Sequence, residues 1–335
     1  MKELLALSTH QKDLTLVEEG ALGPLLEEFS LAGVELLPLK EVPEGIRPFV
    51  CGVHLPFQPV WLPFWLEDRR YLREVFPGET NLARFFGGER PEDFLNLLKG
   101  WFERALSLKP AYLVFHVSHC GLEEVFSLRF RYDKKTVLQA VAEVLNAALE
   151  GFPAQRSLLL FENLWWPGLT LLEDWEAEYF WDRLRVPFPT GLLLDTGHLL
   201  NASYLLRQPS MFRGPVYPAQ ALSLLFEVLS KKPPSLRELI KGVHLNFSPR
   251  ADLFFSDEEG KRRCLAASDP LFRFRLARER VLSLDPHFPF YGVDLRPFLD
   301  LLAPDFLVHE LRFSSLADLR PKLRLQKECL SDHGS

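Results

Sequence analysis

Hydrophobic positions in this chain follow two alternating patterns. Short continuous apolar runs of strand composition are separated by longer stretches in which apolar residues recur at helical spacing. Leu4 to Leu7 and Val34 to Leu37 read as the first two strands, with an amphipathic helix around Leu14 to Leu31 between them. Further runs follow in order: FVCGVHLPF, YLVFHVSH, SLLLFENLWW, GLLLDTGHLLN, IKGVHLNFS and DFLVHELRF. Helical periodicity predicts helices at Pro91 to Leu108, Lys134 to Leu149, Ala219 to Leu229 and Pro270 to Leu282. Strands that read as unbroken apolar runs are buried on both faces, as in a parallel sheet covered by helices. The pattern therefore predicts an α/β fold: one (β/α)8 TIM barrel, a fold of roughly 250 residues that grows by loop insertion. It should occupy residues 1–325, with a flexible tail over residues 326–335.

Three stretches break the rhythm. Gln58 to Gly88 is rich in proline and aromatics, including Trp61, Trp65, Phe85 and Phe86. The connection from Leu199 to Leu239 holds Pro209, Pro215 and Pro218, and the one from His244 to Asp285 holds a charged stretch from Asp257 to Arg263. Loops of this length in a barrel are expected on the face that carries the strand C-termini. No repeat or linker marks a second domain.

Composition narrows the function classes. The chain has 335 residues, 47% of them hydrophobic and 25% charged, with a net charge of -6 and a pI near 5.9. No general basic field is available to hold a polyanion, which disfavours a nucleic-acid partner. Cys51, Cys120, Cys264 and Cys329 form no CxxC pair, and a chain of this size needs no disulfide staples. The first residues, MKELLALSTHQKD, turn polar too soon for a signal peptide, and no apolar run approaches the roughly 18 residues of a membrane span. A cytoplasmic, membrane-free protein is the expectation.

The apolar runs share a second property: each of the last six reaches a residue able to bind a metal ion. These are His54, His116, Glu162, Asp195 with His198, His244 and Glu310. One histidine closing an apolar run is as a rule a hydrogen-bonded rim residue. Six in order are what a parallel barrel needs to aim ligands at one point above its C-terminal rim. Neutral imidazoles give affinity, carboxylates offset charge, and a carboxylate such as Glu162 has two oxygens with which to bridge two ions. Asp195 and His198 lie three residues apart across a strand-to-loop turn, and in DPHFPF the extended spacing puts Asp285 and His287 on one side. Unpaired carboxylates inside apolar strands are costly, which favours metal or ion-pair partners for Glu162, Asp195 and Glu310.

This ordered set resembles the metal ligands of the xylose-isomerase-like TIM-barrel superfamily and, more narrowly, of its endonuclease IV branch. The strings FHVSH, FEN, LLDTGH, GVHLN and HE carry the resemblance, over the chain from about His54 to Glu310. It implies one divalent ion on His54, His116 and Glu162, a second on Glu162, Asp195, His244 and Glu310, and a third on His198, Asp285 and His287. Zn2+ or Mn2+ are the ions expected. One departure is that Asp285 and His287 stand far downstream of His244, where the endonucleases place this pair in a short loop. Among relatives, GVHLPFQPVWLPFW, FENLWWPG and DTGHLLN look like the cobamide-remodelling phosphodiesterases, which implies a small-molecule phosphodiester substrate, specifically the nucleotide loop of a vitamin B12-type cofactor.

The expected chemistry is phosphodiester hydrolysis by an activated water near Glu162 and Glu310, without a covalent intermediate. Trp165 and Trp166 could stack on a planar group, and Arg129 and Arg131 in SLRFRY could bind phosphate. Asn163 and Asn246 could orient ligands or substrate, while His119 and His309, beside proposed ligands, are expected to support rather than ligate. Two alternatives stay open: a sugar or inositol isomerase/epimerase, which the lack of a lysine beside any strand-end ligand disfavours, and a DNA repair endonuclease, which the acidic composition disfavours.

Overall fold

The computed structural model describes residues 1–76, 79–207, 214–253 and 255–331. Each apolar run becomes a strand: β1 (Lys2–Ser8), β2 (Gly33–Leu37), β3 (Val50–His54), β4 (Tyr112–His116), β5 (Leu158–Glu162), β6 (Thr190–Asp195), β7 (Ile240–Leu245) and β8 (Phe306–His309). The strands pair in parallel in chain order, and β8 closes on β1 with His309 opposite Leu5. The result is a single-domain (β/α)8 barrel.

Side chains alternate across a strand, so inward positions stack in layers along the barrel axis. Leu4, Tyr112, Val114, Leu160, Leu193, Phe306 and Val308 pack together as the interior core. Two residues beyond this layer, on the same face of each strand, the composition turns polar. His116 follows Val114, Glu162 follows Leu160, Asp195 follows Leu193 and Glu310 follows Val308. His54 and His244 follow Gly52 and Gly242 in the same way, and a Cβ on Gly242 would meet Leu160 and Leu193 at 3.3 Å. The period of two therefore puts the ligand layer directly above an apolar floor.

Helices Pro91–Ser107, Lys134–Ala148, Pro218–Ser230 and Pro270–Leu284 match the periodic segments closely. Three expectations are corrected. The stretch from Leu14 to Leu31 is two helices, Gln11–Glu18 and Leu22–Glu28, because Gly20 takes φ +64° and ends the first. The turn after β6 is no loop, since helix Thr196–Arg207 starts directly after Asp195 and carries His198 in its first turn. The last helix, Leu316–Glu328, runs past residue 325 and buries Gln326, whose side chain bonds Leu245 O and Phe290 N. One connection, from β2 to β3, carries no α-helix and passes through the 3-10 turn Arg47–Phe49. A cavity of about 710 Å³ lies on that flank, lined by Leu39, Lys40, Arg47, Phe57, Trp101 and Arg104 among others. Pro209 and the tail residues 332–335 lie outside the described residues.

The long connections sit where the ligand face needs walls. After β3 come helices Trp61–Trp65, Arg69–Val75 and Glu79–Phe86, and after β7 come Glu258–Ala266 and Pro270–Leu284. The two insertions meet: the Phe274 ring packs on Phe76 and Phe85, and the buried Arg273 guanidinium donates to the carbonyls of Glu74 and Val75. No helix among the described residues is long and apolar enough to cross a membrane.

Candidate metal centre

Nine side chains converge at the C-terminal mouth of the barrel. They form three groups, the first two sharing Glu162, and within each group the donor atoms lie within 4.8 Å of one another: His54, His116 and Glu162; Glu162, Asp195, His244 and Glu310; and His198, Asp285 and His287. In the first group Glu162 Oε2 lies 3.0 Å from His54 Nε2 and 2.9 Å from His116 Nε2. In the second, Glu162 Oε1 lies 3.4 Å from His244 Nδ1, which also faces Glu310 Oε2 at 3.3 Å and Asp195 Oδ2 at 3.8 Å. In the third, Asp285 Oδ2 lies 3.2 Å from His198 Nε2 and 2.7 Å from His287 Nε2. Glu162 thus belongs to two groups, one through each oxygen, and its Oε1 also lies 3.1 Å from His198 Nδ1 of the third.

Asp285 and His287 reach the mouth despite their distance along the chain. Phe288 pairs with Phe247, two residues beyond the end of β7, by backbone hydrogen bonds of 2.8 and 3.1 Å. His287 takes φ +49°, a left-handed conformation uncommon outside glycine. Ser248 Oγ donates to Asp285 Oδ1 at 2.6 Å and Asn201 Nδ2 does so at 3.3 Å, fixing that carboxylate.

The donor chemistry fits divalent ions. Glu162 Oε1, His244 Nδ1 and His116 Nδ1 are buried and lack a hydrogen-bond partner. Buried polar atoms are ordinarily satisfied, and two of these face the shared space between the groups. Several rings are already aimed from behind: His54 Nδ1 donates to Leu55 O at 2.8 Å and His198 Nδ1 to Asn163 O at 2.9 Å. Each leaves Nε2 for a ligand, the usual arrangement of metal-bound imidazoles.

Electrostatics point the same way. Burial opposes ionisation of Glu162, yet His116 and His244 hold its carboxyl well below the usual range. Asp195 is pushed well above that range by burial and by Glu310 and Glu162, against the pull of His198. Burial would lower the imidazoles, but Asp195 and Asp285 raise His198, Glu35 and Glu310 raise His244, and Asp285 and Glu310 raise His287 to about 9. Only His116 is lowered, because burial prevails there, and a mouth that draws protons onto its other imidazoles is one that attracts cations.

The other predicted residues divide. Asn246 donates through Nδ2 to Asp195 Oδ2 at 2.7 Å and Glu310 Oε2 at 3.3 Å, so it orients ligands. Gly197 lets it approach, since a Cβ there would sit 1.9 Å from Asn246 Oδ1. Asn163 is corrected as a substrate contact: its amide is spent on the Asp195 backbone, donating to O at 3.1 Å and accepting from N at 2.8 Å. Trp165 and Trp166 lie beside the centre but are buried. Trp165 packs on His198 with ring centroids 5.0 Å apart, and Phe57 covers a face of Trp166 at 6.0 Å while contacting His116 at 5.2 Å. Arg131 is corrected as well: it pairs with Asp68 at 2.9 Å and stacks over Tyr71, tying the β4 loop to the β3 insertion. Arg129 is exposed. His309 faces outward to Glu3 and Gln326, and His119 is buried against Trp61 and Tyr132, so neither is a ligand.

One residue escaped the sequence reading. Glu35, in β2, is buried inside the barrel with Oε1 2.8 Å from His244 Nε2 and Oε2 2.8 Å from Tyr112 Oη. The signal was present: a lone carboxylate in the apolar run Val34 to Leu37, at a position whose side chain points inward.

Known structures place the fold. A protein assigned as a xylose isomerase from Rhodospirillum rubrum superposes with a TM-score of 0.51 at 12% identity, over 99% of this chain and 100% of that one. Endonuclease IV from Thermus thermophilus gives 0.46 at 16% identity over 98% of each chain, and a 3-keto-D-glucoside 4-epimerase from E. coli gives 0.46 at 11% over 98% and 100%. No protein-family model and no curated protein matches the chain. At these identities the likeness is one of fold, a closed (β/α)8 barrel, and what the chain catalyses rests on its own residues.

Proposed function

We propose that this chain is a metal-dependent phosphodiesterase acting on a small molecule, most specifically on the nucleotide loop of a cobamide. The observation that carries the reading is the sharing of Glu162 between two ligand groups, with a third adjoining through His198. When bound there, adjacent divalent ions neutralise phosphoryl oxygens and make a water nucleophilic near neutral pH. The chain's residues hold and aim the reactants. Glu310 is the least buried carboxylate of the set, its side chain 21% exposed, which supports a role facing incoming substrate. Glu310 is held ionised by His287 and His244 despite burial, which suits a cation ligand that also accepts a hydrogen bond from the attacking water. Glu162, fully buried beneath it, fixes where that water stands.

The half-buried Phe57 ring beside His116 supports a substrate with a flat part, and the net charge of -6 weighs against DNA. The test begins with elemental analysis of protein purified without chelator or affinity nickel. About three ions per chain, with phosphate-ester cleavage of a cobamide or a simple phosphodiester, is the expected result. One ion or none, with turnover of a ketose or inositol and no phosphoester cleavage, overturns it in favour of an isomerase or epimerase.

A further inference from the structure

His244 differs from the other imidazoles of the centre in what stands behind it. His54 and His198 are aimed by backbone carbonyls, whereas His244 Nε2 meets a carboxylate, Glu35 Oε1, at 2.8 Å. Glu35 in turn uses its second oxygen to accept the Tyr112 hydroxyl at 2.8 Å. Tyr112, Glu35 and His244 are all buried, so water does not compete for these bonds. The chain of contacts crosses the barrel from β4 through β2 to β7, beneath the ligand layer. It depends on Gly52, where a Cβ would fall 2.2 Å from the Tyr112 ring.

With Nε2 committed to Glu35, His244 keeps one ring nitrogen for the mouth. That atom, Nδ1, lacks a hydrogen-bond partner and faces Glu310 Oε2 at 3.3 Å and Glu162 Oε1 at 3.4 Å. We infer that Glu35 is a positioning residue: held by Tyr112, it fixes the tautomer and plane of His244 so that Nδ1 is presented to the cation position shared with Glu162, Asp195 and Glu310. A carboxylate behind an imidazole also makes it a stronger donor than a carbonyl does. The inference rests on the metal-centre reading. Glu35, His54 and His244 also come close enough to hold an ion themselves. The placement of the partnerless nitrogen decides between the two, because it lies on the far side of the ring from Glu35.

The test uses Co2+ alone, on the full chain stripped of metal, with Glu35→Gln, Glu35→Ala and Tyr112→Phe beside the native protein. Cobalt stoichiometry, affinity by chelator competition and the visible absorption of bound cobalt are read, together with the melting temperature of the metal-free forms. The expected result for Glu35→Gln is an unchanged number of ions, with one bound about 10- to 100-fold more weakly and its absorption bands shifted. Glu35→Ala should be worse, because glutamine can still accept from Nε2, and Tyr112→Phe should move the same readouts in the same direction by a smaller factor. If Glu35→Ala does not fold, the glutamine and phenylalanine variants decide alone. Affinity and spectrum both unchanged, with only the metal-free melting temperature lowered, would make Glu35 purely structural and overturn the inference. Loss of one whole ion would make it a ligand, which also overturns it. A native chain that takes up no cobalt sinks the metal centre, and this inference with it.

Discussion

Replacing Glu162 by glutamine keeps shape and volume while removing the charge on which the centre is built. Its two oxygens stand 3.0 and 2.9 Å from His54 and His116, and 3.1 and 3.4 Å from His198 and His244. One glutamine oxygen can still accept, but the amide nitrogen can ligate nothing and would point at nitrogens. Loss of a mere outer partner of a ligand costs about 10- to 100-fold in metal affinity. A bridging ligand serves two positions, so the pair should weaken by at least about 10²- to 10⁴-fold, or about 3 to 5 kcal/mol. The third group, His198 with Asp285 and His287, keeps all its members. In zinc-buffered solution the native protein should therefore hold about three ions per chain and Glu162→Gln about one, with phosphodiester turnover falling at least about 10³-fold. Elemental analysis after gel filtration and a phosphodiester assay read the two effects, and circular dichroism confirms the fold. A variant that keeps its full metal content and turns over within tenfold of the native rate refutes the bridging role.

Further outcomes follow from the same geometry. Without metal, His287 has its pKa raised from 6.5 to about 9, burial being outweighed by Asp285 and Glu310. A raised folded-state pKa contributes stability that is complete below about pH 6.5 and lost as pH climbs through 9, so metal-free protein should melt at lower temperature across that window. Metal-loaded protein should not, because ions need the deprotonated ring; a metal-free melting temperature flat from pH 6.5 to 9 contradicts the ion-pair account. Gly197→Ala would drive a Cβ to 1.9 Å from Asn246 Oδ1 and push that amide off Asp195 and Glu310. Metal affinity should fall about 10- to 100-fold, measured by chelator competition, and native affinity in a folded variant would show that Asn246 does not orient those ligands.

Much of this fold and centre was legible in sequence because one periodicity served both. The spacing of two that keeps Val114, Leu160, Leu193 and Val308 inside the barrel also puts His116, Glu162, Asp195 and Glu310 at the inner rim, so finding the strands nearly finds the ligands. Tertiary detail was legible only in part. The long excursion before Asp285 is returned to the mouth by the Phe247–Phe288 pairing, a contact no local pattern encodes. Asn163 looked like a substrate residue from its place after Glu162, but the next strand's backbone claims its amide. Arg131 looked free until the β3 insertion, folded as helices, brought Asp68 and Tyr71 to it.

Glu35 is the instructive miss, because the rule that exposes it is the one that located the ligands. A carboxylate on the inner face of a barrel strand needs a compensating partner, and hydrophobic periodicity registers it only as a gap. Below the rim the compensation comes from the protein: Tyr112 and His244 satisfy both oxygens. At the rim Glu162 has one oxygen with no hydrogen-bond partner, and His244 one nitrogen, each facing the other. Two carboxylates on one barrel wall thus differ in what they still lack. That difference separates a supporting residue from a ligand more sharply than either residue's place in the sequence.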